Sequence, residues 1–357
     1  MRITSIDCYC EDMDLARPYS IAFRTITQVS NIIVVVRTDS GAVGLGAASP
    51  EPHVTGETLQ ACETAVEEHG PALIGGAATE LVRNCRTLQK SLTGHPAARA
   101  ALDMALHDLF AQYLGKPLVE VLGRAHDGLP TSITIGIKDA EATLEEAREY
   151  LAAGFRVLKV KLGHDLQEDL ERLQLLRTHL GSEWVVRVDP NQGYNLDELR
   201  RLLEQRDALG LEFVEQPLPV AQSSALGGLP ADLRAWLAAD ESLLDEADAV
   251  QLLEPPRPYG VWNIKLMKCG GIYAARRIAD LAEIAGIDVM WGCMDESAIS
   301  ISAALHAALA SPATRYLDLD GSLDLAHDVA SGGFTLQNGI MNTTQQPGLG
   351  VRLASDD

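Results

Sequence analysis

Five segments of this chain, each an apolar run that ends in a lysine or a carboxylate, recur at an almost constant step. They are VLKVKLG (157–163), VVRVDPNQ (185–192), LEFVEQPL (211–218), LAADES (237–242) and WNIKLMKCGG (262–271). The steps from Lys161 to Asp189, Glu215, Asp240 and Lys265 are 28, 26, 25 and 25 residues. One strand, one helix and two loops take about that length, so each step reads as one β/α unit. Repeated units with charges at the strand C-termini predict an α/β fold, a (β/α)8-type barrel with its site at that end.

A chain of 357 residues has room for such a barrel and a second unit. Residues 2–10 read as a strand, and NIIVVVRT, DSG and AVGLGAA (31–48) as a hairpin turning at Gly41. Between them, residues 16–28 read as a loop or irregular strand. Helices are expected over 57–69, 79–92 and 96–114, the last opened by Pro96 and striped by Leu102, Ala105, Leu106 and Leu109. This predicts an N-terminal α+β unit over 1–125. The barrel follows over 126–321, starting at the buried strand LPTSITIGI (129–137). A segment of strands and turns, 322–357, returns to the first unit.

Net charge is −21, from 29 basic and 50 acidic residues, which argues against nucleic acid or anionic membrane as a partner. Apolar residues make up 46% of the chain, but no run is long enough to span a bilayer. The N-terminus lacks the basic start and apolar core of a secretory signal, so the expected location is cytoplasmic. Cys8, Cys10, Cys62, Cys85, Cys269 and Cys293 form no CxxC pair and read as reduced, mostly buried thiols. Cys293, near a predicted strand end, is expected to pack rather than to line a site.

Asp189, Glu215 and Asp240 each close a strand of a consecutive unit. One such carboxylate is usually a helix cap, but three in phase suit a hard cation such as Mg2+, which wants oxygen ligands. Lys161 and Lys265 stand on the strands before and after, facing each other across a closed barrel. An α-proton held between them would have an amine on either side. A lysine base must be neutral near pH 7. Lys159, two residues from Lys161 on the same strand face, and Lys268 near Lys265 are expected to depress those amines.

KVK, VDPNQ, EFVEQPL, ADES and NIKLMKCGG together resemble the enolase superfamily in its muconate-lactonizing enzyme subgroup, over essentially the whole chain. The resemblance implies a capping domain and a modified, (β/α)7β-type barrel. It also implies Mg2+ at Asp189, Glu215 and Asp240, one per subunit, with Lys161 and Lys265 as the acid/base pair and a homo-oligomeric state. YLDLDG (315 onward being RYLDLDG) sets Asp318 and Asp320 on one face at the end of the eighth strand. That pair resembles the dipeptide epimerases of the subgroup, where it holds the dipeptide's ammonium. The implied activity is 1,1-proton transfer at the α-carbon of the C-terminal residue, through a metal-stabilised enediolate. Arg24 matches an arginine that in some such enzymes pairs with an acidic side chain. Glu51, Asp295 and Glu296 are expected at the pocket, which favours cationic or neutral dipeptides over Ala-Glu. N-acylamino-acid racemase and o-succinylbenzoate synthase stay open on the same scaffold. A non-catalytic barrel is disfavoured, because five inward charges would serve no purpose there. No GxSxG or HExxH supports a hydrolase.

Overall fold

A computed structural model describes residues 1–21, 24–181 and 184–354, with the side chains of 19–21 and 24–25 outside that description. The chain opens on a long antiparallel ribbon, β1 (Ile3–Ile21) and β2 (Arg24–Thr38), with β3 (Val43–Ala48) beside β2. Outside residues 22 and 23, the segment 16–28 is therefore ribbon rather than loop. Its irregularity is a register shift between Asp14 and Tyr19, where Pro18 has no N–H to give to a ladder. Helices Leu59–His69, Leu81–Ser91 and Pro96–Leu114 cover the sheet. Pro96–Leu114 is buried around most of its circumference. It approaches β3 so closely that a Cβ on Gly46 would sit 1.8 Å from the Ala101 carbonyl oxygen. The glycines of GLGAA are thus helix-packing positions.

Eight parallel strands follow in unbroken spatial order: β5 (Ile133–Ile135), β6 (Val157–Lys161), β7 (Val185–Asp189), β8 (Leu211–Glu215), β9 (Leu237–Ala239), β10 (Val261–Ile264), β11 (Asp288–Gly292) and β12 (Thr314–Asp318). Thr131 bridges Leu317 in parallel and Ser132 N–H donates to Leu317 O at 3.1 Å, which nearly closes the sheet. A helical connection follows each of the first seven strands, and among the described residues no helix follows β12. This is the (β/α)7β barrel. The first barrel strand is shorter than LPTSITIGI predicts. Leu129–Pro130 (β4) pairs instead with β15 (Ile340–Thr343), an edge position that suits Pro130.

Inside the barrel, Phe213, Ala238, Val261, Met290 and Tyr316 form a floor. The Arg187 guanidinium lies 5.3 Å and 5.0 Å from the Phe213 and Tyr316 ring centres. Alternate strand residues share a face, so Lys159, Arg187 and Phe213 point inward beneath Lys161, Asp189 and Glu215. Polar strand ends therefore stand on an apolar base. None of the described helices is long and apolar enough to cross a membrane.

The first unit and the tail brace the barrel. Arg99 Nη2 donates to Cys269 O at 2.7 Å, and Asp103 Oδ1 accepts from Ile272 N at 2.6 Å, capping the helix Ile272–Ala285. Both contacts grip the turn that follows Lys265. Gly271, at φ 104°, makes that turn possible. The tail carries β13 (Ala330–Gly332), β14 (Phe334–Gln337), β15 and β16 (Val351–Leu353). Its Leu349 N–H donates to Asp108 Oδ1 at 2.8 Å, and its Gly348 O accepts from Leu118 N at 2.8 Å.

Candidate active site

A cavity of about 1150 Å3 opens over the C-terminal ends of the barrel strands and beneath the N-terminal unit. Lys161, Asp240, Lys265, Asp318 and Asp320 line it from the barrel, and the stretch Ser49 to Val54 lines it from above. Asp189, Glu215 and Asp240 stand at the ends of three adjacent strands and are almost wholly buried. Asp189 Oδ2 accepts from Lys161 Nζ at 2.7 Å, and its Oδ1 accepts from Asn191 N at 2.9 Å. Asp240 Oδ2 accepts from Lys265 Nζ at 2.8 Å, while Lys268 Nζ binds both Oδ1 and the carbonyl oxygen of Asp240. Glu215 Oε1 accepts from Asn263 Nδ2 at 2.8 Å. Its Oε2 lies 2.8 Å from Lys159 Nζ as an ion pair, yet no hydrogen bond reaches it.

The three carboxylates fit a hard cation. The donor set is all oxygen, three carboxylates from adjacent strand ends, which is what such an ion takes. Burial, then the neighbouring Asp189, push Glu215 up to about 8. Asp189 and Asp240 go the other way despite burial: Lys161 and Lys159 lower the first, and Lys265 and Lys268 lower the second.

Lys161 and Lys265 extend from strands four places apart in a ring of eight, so they face each other across the mouth. The sequence expectation that neighbouring cations depress the lysines is corrected for Lys265. Burial lowers it, but Asp240 and Glu215 outweigh that and hold it above its ordinary value. The role expected for Lys159 is corrected too. Its ammonium is buried among Glu215, Asp318 Oδ2 at 2.9 Å and Asp189 Oδ2 at 3.3 Å, so it ties carboxylates together where it lines the cavity. Lys268 is buried, donates to Asp240 and Asn263 O, and does not line the cavity. It orients Asp240 and is not a substrate contact.

Asp318 and Asp320 both line the cavity, in unlike settings. Ser132 and Lys159 bind Asp318; burial opposes its charge, but Lys159 prevails and holds it at about 2. Asp320 Oδ2 accepts from Thr134 N at 2.7 Å, and burial together with Asp318 pushes it up to about 7. Glu51 and Asp295 line the cavity as expected. Glu296 does not. It is buried, folds back to accept the Met294 N–H at 2.8 Å, and is pushed up to about 7 by burial. A short local turn captured it before it could reach the pocket. The Arg24 side chain lies outside the described residues.

Residues 3–123 match the family described as mandelate racemase / muconate lactonizing enzyme, N-terminal domain, and residues 142–357 match the enolase C-terminal domain-like family. The chain belongs to the enolase superfamily. It is 60% identical to the L-Lys-D/L-Arg epimerase of Methylococcus capsulatus, over 98% of this chain and 99% of that one. It is 52% identical to the L-Lys-D/L-Arg epimerase of Desulforapulum autotrophicum, over 99% of each. The crystal structure of the Methylococcus capsulatus dipeptide epimerase complexed with Mg and the dipeptide L-Arg-D-Lys superposes with a TM-score of 0.97, covering 98% of this chain and 99% of that chain.

Several residues of this superfamily site escaped the sequence reading. Asn263 was hidden inside NIKLMK, although its place two residues before Lys265 on an inward face was a usable signal. Gln216 accepts from Asp240 N and Ser242 N through Oε1, fixing the strand-end loop. Asp324 lines the cavity and makes no side-chain hydrogen bond or ion pair among the described residues. Burial, then Asp295 and Glu146, push it up to about 6. Cys293, expected to pack, does line the cavity and donates its thiol to Asp318 O at 3.2 Å. All six cysteines are free thiols.

Proposed function

We propose that this chain is a Mg2+-dependent dipeptide epimerase, an isomerase acting on dipeptides with cationic side chains. The observation that carries the reading is the pair Lys161 and Lys265, on opposite walls of one cavity, with three strand-end carboxylates between them. Asp189, Glu215 and Asp240 would hold the cation, which neutralises the charge that gathers on the substrate carboxylate as the α-proton leaves. Lys161 takes the proton from one face of the α-carbon and Lys265 returns one to the other face. The reverse reaction exchanges their roles. Each amine must give up a proton before it can act as base. Lys159 and Lys268 do not react; they fix Asp318, Glu215 and Asp240 in place.

The dipeptide's ammonium belongs at Asp318 and Asp320. Glu51, Asp295 and Asp324 make the rest of the cavity wall acidic. Glu146 and Glu149, also on that wall, are engaged by Lys138 and Arg17. A wall of this kind selects Lys or Arg side chains over Glu. The 60% identity to an L-Lys-D/L-Arg epimerase supports the same preference. The net charge of −21 supports an enzyme with no nucleic-acid or anionic-membrane partner, and we extend the reading to a cytoplasmic homo-oligomer. We also place the unit boundaries near residues 125 and 321. The break from helix Leu118–Leu122 to the barrel, and the tail's return to Asp108, support them.

The test is α-proton exchange in D2O with a dipeptide panel. Lys- and Arg-containing dipeptides should exchange and epimerise with Mg2+ and stop in excess chelator. Faster turnover of N-acyl amino acids would favour the racemase reading. Full activity in chelator would remove the metal from the mechanism.

A further inference from the structure

Directly after Asp240, at the end of β9, stands a carboxylate that neither the fold nor the proposed proton transfer uses. Glu241 lines the cavity. Its Oε2 is buried and has no hydrogen-bond partner. Its charged neighbours include two carboxylates, Asp240 and Asp189, and one ammonium, Lys265. Lys265 is bound to Asp240, and no ion pair joins it to Glu241.

An unpaired, mostly buried carboxylate beside like charges works against folding. A neutral side chain of the same shape would relieve that burden. The cost is recovered when a multivalent cation enters the centre, since positive charge at Asp189 and Asp240 also faces Glu241. The supports of Asp240 are otherwise cationic or neutral: Lys265, Lys268 and Gln216. Glu241 is the one neighbouring side chain of this chain's Asp240 loop that adds negative charge while facing the cavity.

We infer that Glu241 is a positioning residue of the metal centre, whose charge strengthens Mg2+ binding at the expense of the metal-free fold. It is additional to the three strand-end ligands and acts on the cation from their side of the cavity. The inference rests on the proposed Mg2+ site, so the experiment separates the two.

Mg2+ binding to the chelator-stripped full chain is measured by calorimetry for the parent, Glu241→Gln, Glu241→Ala and the distant cavity control Asp324→Asn. Thermal midpoints are taken on the same metal-free samples. Supporting residues of metal sites typically contribute about 10- to 100-fold in affinity. Both Glu241 variants should weaken Mg2+ binding by about that factor, and their metal-free midpoints should be no lower than the parent's, with Glu241→Gln higher. Asp324→Asn should bind Mg2+ within about twofold of the parent, since a more remote charge is screened. If the parent binds no Mg2+, the metal site itself is wrong. If the parent binds and the Glu241 variants bind equally well, this inference alone fails. It fails too if their metal-free midpoints drop, which marks a structural role, or if Asp324→Asn loses as much affinity, which marks a general field.

Discussion

The proposal that Asp318 and Asp320 hold the dipeptide's ammonium gives the two carboxylates unlike shares of that task, and Asp320→Asn tests the division. Asp318 already satisfies Lys159 and Ser132. Asp320 commits only Oδ2, to the Thr134 N–H at 2.7 Å, while its Oδ1 stands 4.0 Å from the Cys293 sulfur. An asparagine keeps an oxygen for Thr134 and loses the charge. A hydrogen bond to a charged group contributes about 1.5–3 kcal/mol. At about 1.4 kcal/mol per tenfold, the variant should lose roughly 10- to 100-fold in kcat/KM on a free Lys- or Arg-containing dipeptide. The assay is a four-cornered cycle: parent and variant, each with the free dipeptide and its N-acetyl form. Acetylation removes the ammonium, so the parent should lose a similar factor and the variant little more. The two losses should then fail to add. Equal, additive losses would refute the assignment, because Asp320 would then be shaping the loop after β12 without touching the ammonium.

Three further outcomes follow from the same geometry. Lys161→Ala and Lys265→Ala should each abolish epimerisation while one stereoisomer still exchanges its α-proton slowly in D2O; parent-rate epimerisation by both variants would end the two-base mechanism. In Glu296→Gln the buried acceptor for Met294 N–H persists, so the preference among Lys, Arg and Glu dipeptides should hold within about twofold, and a change of tenfold would return Glu296 to the pocket. His306 is buried, accepts the Val119 N–H through Nδ1 at 2.9 Å, and is held by burial at about 4, below its ordinary 6.5. The unfolded chain then takes up a proton that the fold refuses, so the stability advantage of the parent over His306→Gln is full above pH 6.5. It should shrink by about 3 kcal/mol as pH falls to 4, at about 1.4 kcal/mol per unit; a gap that stays constant in denaturant titrations would show that His306 is not held neutral.

What could be read in advance was whatever a strand encodes locally. A period of two, repeated at steps near 26, places Lys161, Asp189, Glu215, Asp240 and Lys265 on inward faces of successive strands, and no long-range contact is needed to see it. The same rule set Lys159 and Lys161 on one face, as they are. It could not supply the partner. Lys159 meets Asp318, 159 residues away in the chain, only because the sheet nearly closes between β12 and β5. That closure turns an expected modulator of a base into a buried tie between carboxylates. Glu296 fails for the opposite reason: a two-residue turn to Met294 N–H competes with the cavity and wins, although its neighbour Asp295 does line the wall. Asp324 and Glu241 were hidden because a lone acidic residue after a strand or in a tail resembles any solvated charge. Their meaning comes from burial without a partner, which exists only once the strand-end loops and the N-terminal unit have met. The placement of the strand-end charges is therefore a local property of the sequence, while the residues proposed for selectivity have environments that three separate segments assemble.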